Sequence, residues 1–523
     1  MKRQTILLAI MLIAGIIIRV LAWPNTMPEI NCDEAMTAIN AYCIATFGQD
    51  QYGASFPVYF ESWVLAGQSA LLTYLMALFI KIFGVSLFSI RLPMLIISII
   101  SLFVFYDLVR RIFKNKKIAL IALFLLIISP WHIIQSLWGL DCNMFPHIML
   151  IGVWLLCIGL EKKIFMYISM IAFAISMYAY GVAYYTVPIF LLLFMWYLKK
   201  NKKVHLKEII PCIAIFVVIS LPLIIMTIVN LFNIETINLG AISIQNFEKQ
   251  VRDNDMLIFS GLGFFSSLMA NLKSLISVIM FQTDGMIWNA IDGFGTIYYI
   301  SLIFIVISII ELYKTRKFIT PALALLLAWL LTSAIVGVLI NGTNINRLNV
   351  IWYPLIILAA HGIYVLLNRH YFKKWLVALV VGGYTVLAIG FVIVLHTSYP
   401  RNLENSFTWD KGLVEACHYI KQNEYNEVVF STGTLETEKQ IIFAKYVLMD
   451  EVVPDEQYKQ ELLKYIYREK DLKVFNNYKV EAVDKELSED VYILTNVELD
   501  KIVNLKDYKI NRFNQYVVLE RGE

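Results

Sequence analysis

Long, nearly uncharged apolar runs recur along the sequence and limit the fold more than any other feature. A helix needs ~20 apolar residues to cross the hydrocarbon core of a bilayer, where backbone polar groups must be satisfied internally. We therefore predict an α-helical polytopic membrane protein with about 11 transmembrane helices. The predicted spans lie at about residues 5–23, 86–109, 118–136, 145–160, 164–180, 182–198, 209–229, 296–313, 319–340, 349–367 and 375–395.

The composition agrees with a bilayer as the solvent for most of the chain. Of the 523 residues, 59% are hydrophobic and only 16% are charged, which lies outside the balance of soluble domains. The formal net charge is only +4. The composition therefore indicates no nucleic-acid partner, and the positions of the charges carry more information than their sum.

Short basic clusters predict the orientation, because lysine and arginine in short loops prefer the cytoplasmic side of a membrane. If the amino terminus is cytoplasmic, alternation of the predicted spans places every such cluster on the cytoplasmic side. The clusters lie at residues 2–3, 110–117, 162–163, 199–203, 314–317 and 369–374. The sequence thus predicts a multi-pass cell-membrane protein whose carboxyl-terminal segment is extracytoplasmic.

Two predicted outer loops, residues 24–85 and 230–295, are long enough to do more than connect helices. The first contains an apolar, amphipathic stretch from Ser69 to Phe83, which we expect to lie along the membrane interface. The second combines a polar piece around residues 248–255 with an apolar helical piece from Leu262 to Phe281. A long ordered loop of this kind is typical of a lid or a binding element.

From about residue 400 the composition becomes that of a soluble domain. Alternating and periodic apolar patterns predict three strands and two helices there. The predicted strands are Glu427–Ser431, Asp490–Thr495 and Gln515–Leu519, and the predicted helices are Leu413–Gln422 and Glu436–Leu448. We therefore divide the chain into a transmembrane domain, residues 1–395, and a small C-terminal extracytoplasmic α/β domain, residues 396–523.

The six cysteines have neither the spacing of a zinc site nor that of a disulfide framework. Cys32, Cys43 and Cys142 fall on the predicted outer side. One disulfide among them and unpaired apolar packing of the thiols both remain open.

Asp33 and Glu34 are adjacent acids about ten residues beyond the first predicted span. Two carboxylates at a membrane edge repel each other and are partly desolvated, which favours a raised pKa or a bound divalent cation. Such a carboxylate can take the proton from an attacking hydroxyl group, so both are candidate catalytic residues. The alternative is a solvated loop pair or a helix N-cap.

Arg91 lies near the outer end of the second predicted span. Charge inside a bilayer is costly, so an intramembrane arginine usually faces a partner, a cavity or the interface. Asp33, Glu34 and the phosphate of a lipid carrier are the candidate partners. Contact with lipid headgroups is the alternative.

Between the third and fourth predicted spans, residues 129–143 place a second acid, Asp141, on the same side as Asp33. Asp141 is a third candidate catalytic residue. His132, Gln135, Trp138 and Asn143 can serve a sugar by hydrogen bonding and stacking, and His132, Trp138 and Asn143 among them are candidate substrate-binding residues. An interfacial tryptophan belt and a structural histidine are the alternatives.

Arg347 stands among amide side chains in residues 341–349, which join the ninth and tenth predicted spans. An arginine at a helix start suits a phosphate, because its fork of donors combines with free backbone N–H groups. Lys273, in the second long loop, is another candidate phosphate-binding cation, and Asn346 is a candidate substrate-binding residue. Headgroup contact is again the alternative for Arg347.

Together these residues resemble the GT-C superfamily of membrane glycosyltransferases, specifically bacterial relatives of dolichyl-phosphate-mannose protein mannosyltransferases and of aminoarabinose transferases. The resemblance rests on Asp33-Glu34-Ala35, Leu71–Gly84, Arg91-Leu92-Pro93 and Trp138–Asn143, and more loosely on Asn346–Asn349. Many relatives have a His-Pro-Pro or similar motif where this chain has Ala66–Ala70. Gln68, within that departure, is a further candidate substrate-binding residue.

The resemblance implies a GT-C-like fold and a polyprenyl-phosphate sugar donor. It also implies an inverting transfer to an envelope glycan, lipid or protein acceptor, with Asp33 as base or acceptor-orienting group. No cofactor is indicated beyond an optional divalent cation, whose ligands the sequence does not identify. Membrane lipids are expected partners.

Two other functional classes fit many apolar spans with few intramembrane charges. A transporter or lipid flippase is the main alternative, although such proteins usually show repeats and ionisable residues near the membrane midplane. A noncatalytic assembly protein is the other, and it leaves the acidic pair and the arginines unexplained. The polar candidates gather on one face, which favours the enzyme.

Overall fold

The computed structural model describes most of the chain. The residues outside the described part are 1, 24–25, 63–66, 248–256, 260–262, 317–318, 370–372, 405, 407, 436, 448, 450–473, 476–477 and 523. The helices before the C-terminal domain are α1 Lys2–Ala22, α2 Cys32–Phe47, α3 Ala70–Phe83, α4 Leu87–Phe113, α5 Lys116–Ile128, α6 Pro130–Ser136, α7 Asp141–Gly159, α8 Lys163–Met177, α9 Ala183–Lys200, α10 Leu206–Leu231, α11 Phe264–Phe281, α12 Ser301–Lys314, α13 Pro321–Leu339, α14 Trp352–Arg369 and α15 Lys373–Glu404. Two short hairpins, β1 Tyr59–Glu61 with β2 Gly67–Ser69 and β3 Ile237–Leu239 with β4 Ile242–Ile244, lie in the long loops.

Each of the eleven predicted spans coincides with a helix or a bent helix pair, as a multi-pass membrane bundle requires. Within the described residues, eight helices are long and apolar enough to cross a membrane, or nine if the bent pair is one span. α8, α9 and α12 fall outside that group, whereas α11, predicted to be part of a loop, falls within it. The exact number of spans therefore remains a prediction.

The prediction of one continuous helix over the third span, residues 118–136, was wrong. α5 and α6 meet at an angle of 56°. Pro130 has no backbone N–H to continue the helical ladder, and the Ser129 hydroxyl accepts from the N–H of His132 at the start of α6. The sequence contained the signal for this break, because Ser-Pro is a typical helix start.

The loops that precede α2, α4, α7, α12 and α14 meet at one end of the bundle, called the site end below. Both flanks of α11 are fixed there: Ile258 donates its N–H to Leu339 at the end of α13, and Gln282 accepts from the N–H groups of Thr296 and Ile297 before α12. α11 thus runs along the site end, which agrees with an interfacial position better than with a crossing.

Several basic clusters gather at the opposite end of the bundle. Arg111 in the last turn of α4 lies 3.7 Å from Glu161 after α7, and Lys163 at the start of α8 forms an ion pair with Glu208 at the start of α10. This geometry agrees with the predicted grouping of the basic loops on one side. Which side faces the cytoplasm stays a prediction.

The C-terminal region forms an α/β module, as predicted. Its elements are α16 Lys411–Asn423, β5 Val428–Ser431, α17 Glu438–Val447, β6 Val474–Phe475, β7 Tyr478–Glu481, β8 Val491–Thr495, α18 Asn496–Leu499, β9 Tyr508–Phe513 and β10 Tyr516–Arg521. The six strands have the order β6-β7-β5-β8-β10-β9, with β5 parallel to β7 and to β8 and the other pairs antiparallel. α15 continues to Glu404, beyond the boundary placed at residue 395.

The module lies on the site end. His396 of α15 contacts Thr26, the backbone N–H of Cys32 donates to the carbonyl of Thr408 at 2.9 Å, and α17 packs against α2. The first turn of α2 is therefore covered by the C-terminal module.

Candidate active site

The first turn of α2 is fixed by a capping box, a local pattern readable in Asn31-Cys32-Asp33-Glu34. The Asn31 side chain accepts from the N–H of Asp33 at 2.8 Å, while Glu34 Oε2 accepts from the N–H of Asn31 at 3.2 Å. These bonds direct the side chains of Asp33 and Glu34 to different sides of the turn. Glu34 is turned into the protein and is fully buried, whereas Asp33 is partly exposed.

Glu34 and Arg91 form a fully buried, two-pronged ion pair. Arg91 Nε lies 3.0 Å from Glu34 Oε1 and Arg91 Nη2 lies 2.9 Å from Glu34 Oε2. The same guanidinium donates to the carbonyls of Pro28 and Glu29, and the N–H of Gly139 donates to Glu34 Oε1 at 2.6 Å. The pair joins α2, α4 and the α6–α7 loop.

This geometry changes the interpretation of both residues. Of the partners left open for Arg91, Glu34 takes its guanidinium, so the predicted phosphate contact has no support here. Glu34 accepts four hydrogen bonds from three residues and has no exposed surface, which argues against a catalytic role. Both residues hold the first turn of α2 in place, and this role needed the tertiary contact to be recognised.

Three carboxylates from different elements lie around the thiol of Cys142 in α7. Asp33, Asp141 and Asp284 each act electrostatically on it. Asp33 and Asp141 are partly exposed, and Asp141 also accepts from the N–H of Cys142 at 2.7 Å. Among the described residues, no group of three or more His, Cys, Asp or Glu side chains is arranged to hold a metal ion.

Asp284 was not identified from the sequence. Its carboxylate accepts from Asn289 Nδ2 at 2.8 Å and from the N–H groups of Met286 and Ile345. It therefore ties the loop after α11 to residues 341–349, where Arg347 lies. No local motif marks this residue, because the contact with Ile345 that places it at the site end comes from a distant loop.

Asn349 is the central amide of the site end. It belongs to the Asn346–Asn349 motif, but no function was predicted for it from the sequence. It accepts from Trp131 Nε1 at 2.8 Å and from Gln135 Nε2 at 2.5 Å, and it donates to the carbonyl of Cys142 at 2.8 Å. It is 1% exposed. Asn349 thus connects α6 to the first turn of α7, which begins at Asp141.

Four of the predicted substrate-binding residues reach the site end, and each has a buried polar atom without a hydrogen-bond partner among the described residues. These atoms are Gln68 Oε1, Trp138 Nε1, Asn143 Nδ2 and Asn346 Oδ1. Gln68 also donates to the Thr37 hydroxyl, which lies one turn after Asp33. The ring of Trp138 lies 5.4 Å from that of Trp409.

His132, the fifth predicted substrate-binding residue, has both ring nitrogens engaged inside the bundle. Nδ1 accepts from Arg19 at 2.7 Å and Nε2 contacts the Ser101 hydroxyl at 2.7 Å. Its side chain is fully buried, so its geometry indicates a structural histidine. Arg19, an arginine within the first span, was overlooked, although its position in an apolar run was a readable signal.

The two remaining predicted phosphate ligands differ in position. Arg347 is partly exposed at the site end, and its guanidinium donates to the backbone carbonyls of Asn341 and Gly342. Within the described part of the chain no carboxylate forms an ion pair with it. Lys273 is exposed on the apolar outer face of α11, beside Met269 and Ile276.

The cysteines take no part in cross-linking. All six are buried and none is bonded in a disulfide, so the disulfide left open among Cys32, Cys43 and Cys142 is not formed. Burial, with the nearby Asp33 carboxylate, raises the pKa of the Cys32 thiol well above its usual value. Packing of the thiols inside the protein is the alternative that the structure supports.

Comparison with known proteins gives the same fold. Residues 68–229 match the family model described as dolichyl-phosphate-mannose-protein mannosyltransferase. The structure is similar to ArnT from Cupriavidus metallidurans bound to undecaprenyl phosphate, with a TM-score of 0.58 and 11% identity, covering 98% of this chain and 97% of that one. No curated protein matches this sequence significantly.

An archaeal structure is similar as well. The apo oligosaccharyltransferase from Archaeoglobus fulgidus aligns with a TM-score of 0.53 and 11% identity, covering 94% of this chain and 69% of that one. A second structure of that enzyme, AglB with an inhibitory peptide and a dolichol-phosphate, aligns with a TM-score of 0.50 and 12% identity. The resemblance to the GT-C membrane glycosyltransferases is therefore confirmed at the level of the fold.

Proposed function

We propose that the chain is a membrane glycosyltransferase that moves a sugar from a polyprenyl-phosphate carrier to a hydroxyl-bearing acceptor. The observation that carries this proposal is the presence of two partly exposed carboxylates, Asp33 and Asp141, which both act electrostatically on Cys142 at one end of a GT-C-type helix bundle. The family-model match and the polyprenyl phosphates bound to structural neighbours support the donor class.

Asp33 is the better candidate base. The capping box and the buried Glu34–Arg91 pair fix its helix turn, so its carboxylate has little freedom to lose when a substrate binds. The acceptor oxygen attacks the anomeric carbon, the bond from that carbon to the phosphate oxygen breaks, and Asp33 takes the hydroxyl proton. The phosphate departs on its lipid carrier, and the anomeric configuration is inverted.

Arg347 is the best-placed candidate for the departing phosphate. Among the described residues its guanidinium donates to backbone carbonyls and pairs with no carboxylate, so a phosphate can join the same donors without displacing one. Asp141 is assigned to orienting the acceptor. A divalent cation remains an optional component. Transfer on the extracytoplasmic face follows from the predicted orientation.

The test is sugar transfer by purified full-length protein from a panel of undecaprenyl-phosphate sugars to extracted envelope acceptors. We expect Asp33→Asn to lower the rate about 10²- to 10⁴-fold, the usual contribution of a general base. Asp507→Asn, at an exposed carboxylate in the C-terminal module, is the matched control and should retain the wild-type rate. Equal rates for wild type and Asp33→Asn would remove Asp33 from the mechanism.

The same protein in liposomes tests the transporter alternative. Movement of a lipid-linked sugar across the bilayer without chemical change, unaffected by Asp33→Asn, would replace the enzyme proposal. Chemical transfer without net movement supports it.

A further inference from the structure

Five side chains near the first turn of α2 and the α6–α7 loop carry buried polar atoms without a hydrogen-bond partner in the described structure. The atoms are Gln68 Oε1, Gln135 Oε1, Trp138 Nε1, Asn143 Nδ2 and Trp409 Nε1. Each residue is at most 6% exposed. Because a buried unpaired polar atom costs ~1–3 kcal/mol, five in one region point to a ligand that completes them.

The hydrogen bonds already made determine which of these atoms accept. The indole of Trp131 can only donate, so the atom of Asn349 that it contacts is the oxygen. Gln135 must present its NH₂ group to that same oxygen, which leaves Gln135 Oε1 as a free acceptor. The Thr37 hydroxyl donates to the carbonyl of Asp33, so Thr37 accepts from the NH₂ group of Gln68.

The five unpaired polar atoms therefore include both hydrogen-bond donors and hydrogen-bond acceptors. Gln68 and Gln135 offer acceptors, whereas the two indole N–H groups and the amide of Asn143 offer donors. A phosphate at neutral pH presents chiefly acceptors and would be repelled by the nearby Asp33 and Asp141. Sugar hydroxyl groups both donate and accept without net charge, so a neutral sugar matches the set.

Trp409 brings the C-terminal module into this region. Its ring contacts that of Trp138 at 5.4 Å with an interplanar angle of 57°. The residue before it, Thr408, accepts from the N–H of Cys32, and the residue after Trp138, Gly139, donates to Glu34. The two indoles are thus held beside the α2 turn that carries Asp33.

We propose that Trp409 and Gln135 complete a subsite with Trp138, Asn143 and Gln68 that binds the hydroxyl groups of the carrier-linked sugar. This inference rests on the proposed function and extends it, because it makes the C-terminal module a direct contributor to sugar recognition. The unpaired donors and acceptors select a polyhydroxylated ring over a bare phosphate.

The test compares binding of undecaprenyl phosphate with binding of a panel of undecaprenyl-phosphate hexoses and pentoses to full-length protein, without an acceptor, by titration calorimetry. We expect wild type to bind at least one sugar-loaded carrier more tightly than the bare carrier. Trp409→Phe keeps an aromatic ring and removes the N–H. It should lower the affinity for that sugar-loaded carrier about three- to tenfold, which corresponds to the loss of one neutral hydrogen bond. Binding of the bare carrier should not change.

Trp329→Phe is the matched control. Its indole N–H is also buried and unpaired, but its ring packs against Tyr353 inside the bundle. Like Trp409→Phe, this variant replaces an indole by a smaller ring and so loses packing contacts. It should change neither the binding constant for the bare carrier nor that for the sugar-loaded carrier. A 3-benzothienylalanine at position 409, which replaces the N–H by sulfur at nearly the same shape, separates the hydrogen bond from packing if Trp409→Phe unfolds.

The outcomes separate the two proposals. Equal binding of bare and loaded carriers by wild type, or unchanged sugar selectivity in both position-409 variants, would overturn the subsite. Either result leaves the Asp33→Asn transfer assay to decide the proposed function independently.

Discussion

Two arginines are fully buried in the helix bundle, and their surroundings differ. Arg91 pairs with the Glu34 carboxylate and joins α2 to α4. Arg19 instead donates to the carbonyls of Gly15, Leu126 and Ile127 and to His132. Its charge is balanced by the carboxyl-terminal carbonyls of α5, the negative end of that helix.

The difference explains two distinct structural tasks. The ion pair holds the side chain of Glu34 against that of Arg91, and it thereby positions the first turn of α2 relative to α4. The Arg19 guanidinium instead donates hydrogen bonds to the last carbonyls of α5, which lie inside an apolar bundle. These bonds stabilise the break between α5 and α6. Tyr298 completes this break by donating its hydroxyl to the carbonyl of Ile128. The contrast predicts a ranking of mutational effects.

Glu34→Gln should have the largest effect on stability. It keeps the side-chain shape but leaves the Arg91 cation buried without an anion, which costs about 3–5 kcal/mol. Thermal unfolding in detergent measures the loss. Glu161→Gln is the control, because its partner Arg111 lies 3.7 Å away and Glu161 is 68% exposed, so we expect a change of at most about 1 kcal/mol.

The double variant Glu34→Leu with Arg91→Met sharpens this prediction. It removes both buried charges and should recover part of the stability that Glu34→Gln loses. If Glu34→Gln melts like wild type, the ion pair does not hold the turn.

Arg19→Met should have an intermediate effect. It removes the guanidinium donors to the carbonyls of Leu126 and Ile127 at the end of α5 but leaves no unpaired charge, so we expect a loss of about 1–3 kcal/mol. The same melting experiment measures it. A loss greater than that of Glu34→Gln would show that the carbonyl-bound arginine contributes more than the ion pair and would reverse the ranking.

Lys445 gives the most pH-dependent effect. It is a buried cation of α17 that donates to Gln51 Oε1 at 2.8 Å, and burial lowers its pKa to about 7. The unfolded chain, with a lysine pKa of ~10.4, binds the proton more tightly, so stability should rise between about pH 7 and pH 10.

The rise should be at most about 1.4 kcal/mol per pH unit, measured by proteolysis of the C-terminal module. Lys445→Met should remove this slope while leaving the melting difference between Glu34→Gln and wild type unchanged. A slope that persists in Lys445→Met would have another source.

The helices of the bundle were predictable from the sequence, because each apolar run is a local property and the bilayer requires internal backbone pairing. The predicted C-terminal strands Glu427–Ser431 and Asp490–Thr495 were recovered as Val428–Ser431 and Val491–Thr495 for a similar reason, since their apolar residues are contiguous. β6, β7 and β9 were not predicted: β6 has only two residues, and the alternation in β9 is weak on an exposed edge.

The candidate site was predicted only in part. Asp33, Asp141 and Arg347 were recognised by type and position, and the structure brings them to one end of the bundle. Asp284 and Trp409 were missed, because each acquires its place through a contact with a residue more than 60 positions away.

The sequence by itself determined that the chain is a bundle of membrane helices with a soluble module after it, because hydropathy is summed over neighbouring residues. Only the tertiary structure decided that, of two adjacent acids, Glu34 is buried against Arg91 while Asp33 stays partly exposed. The physical reason is that the partner of a charge is chosen in space, where α4 and the α6–α7 loop deliver donors to one carboxylate. Their arrival at that carboxylate is not encoded in the local pattern of either segment.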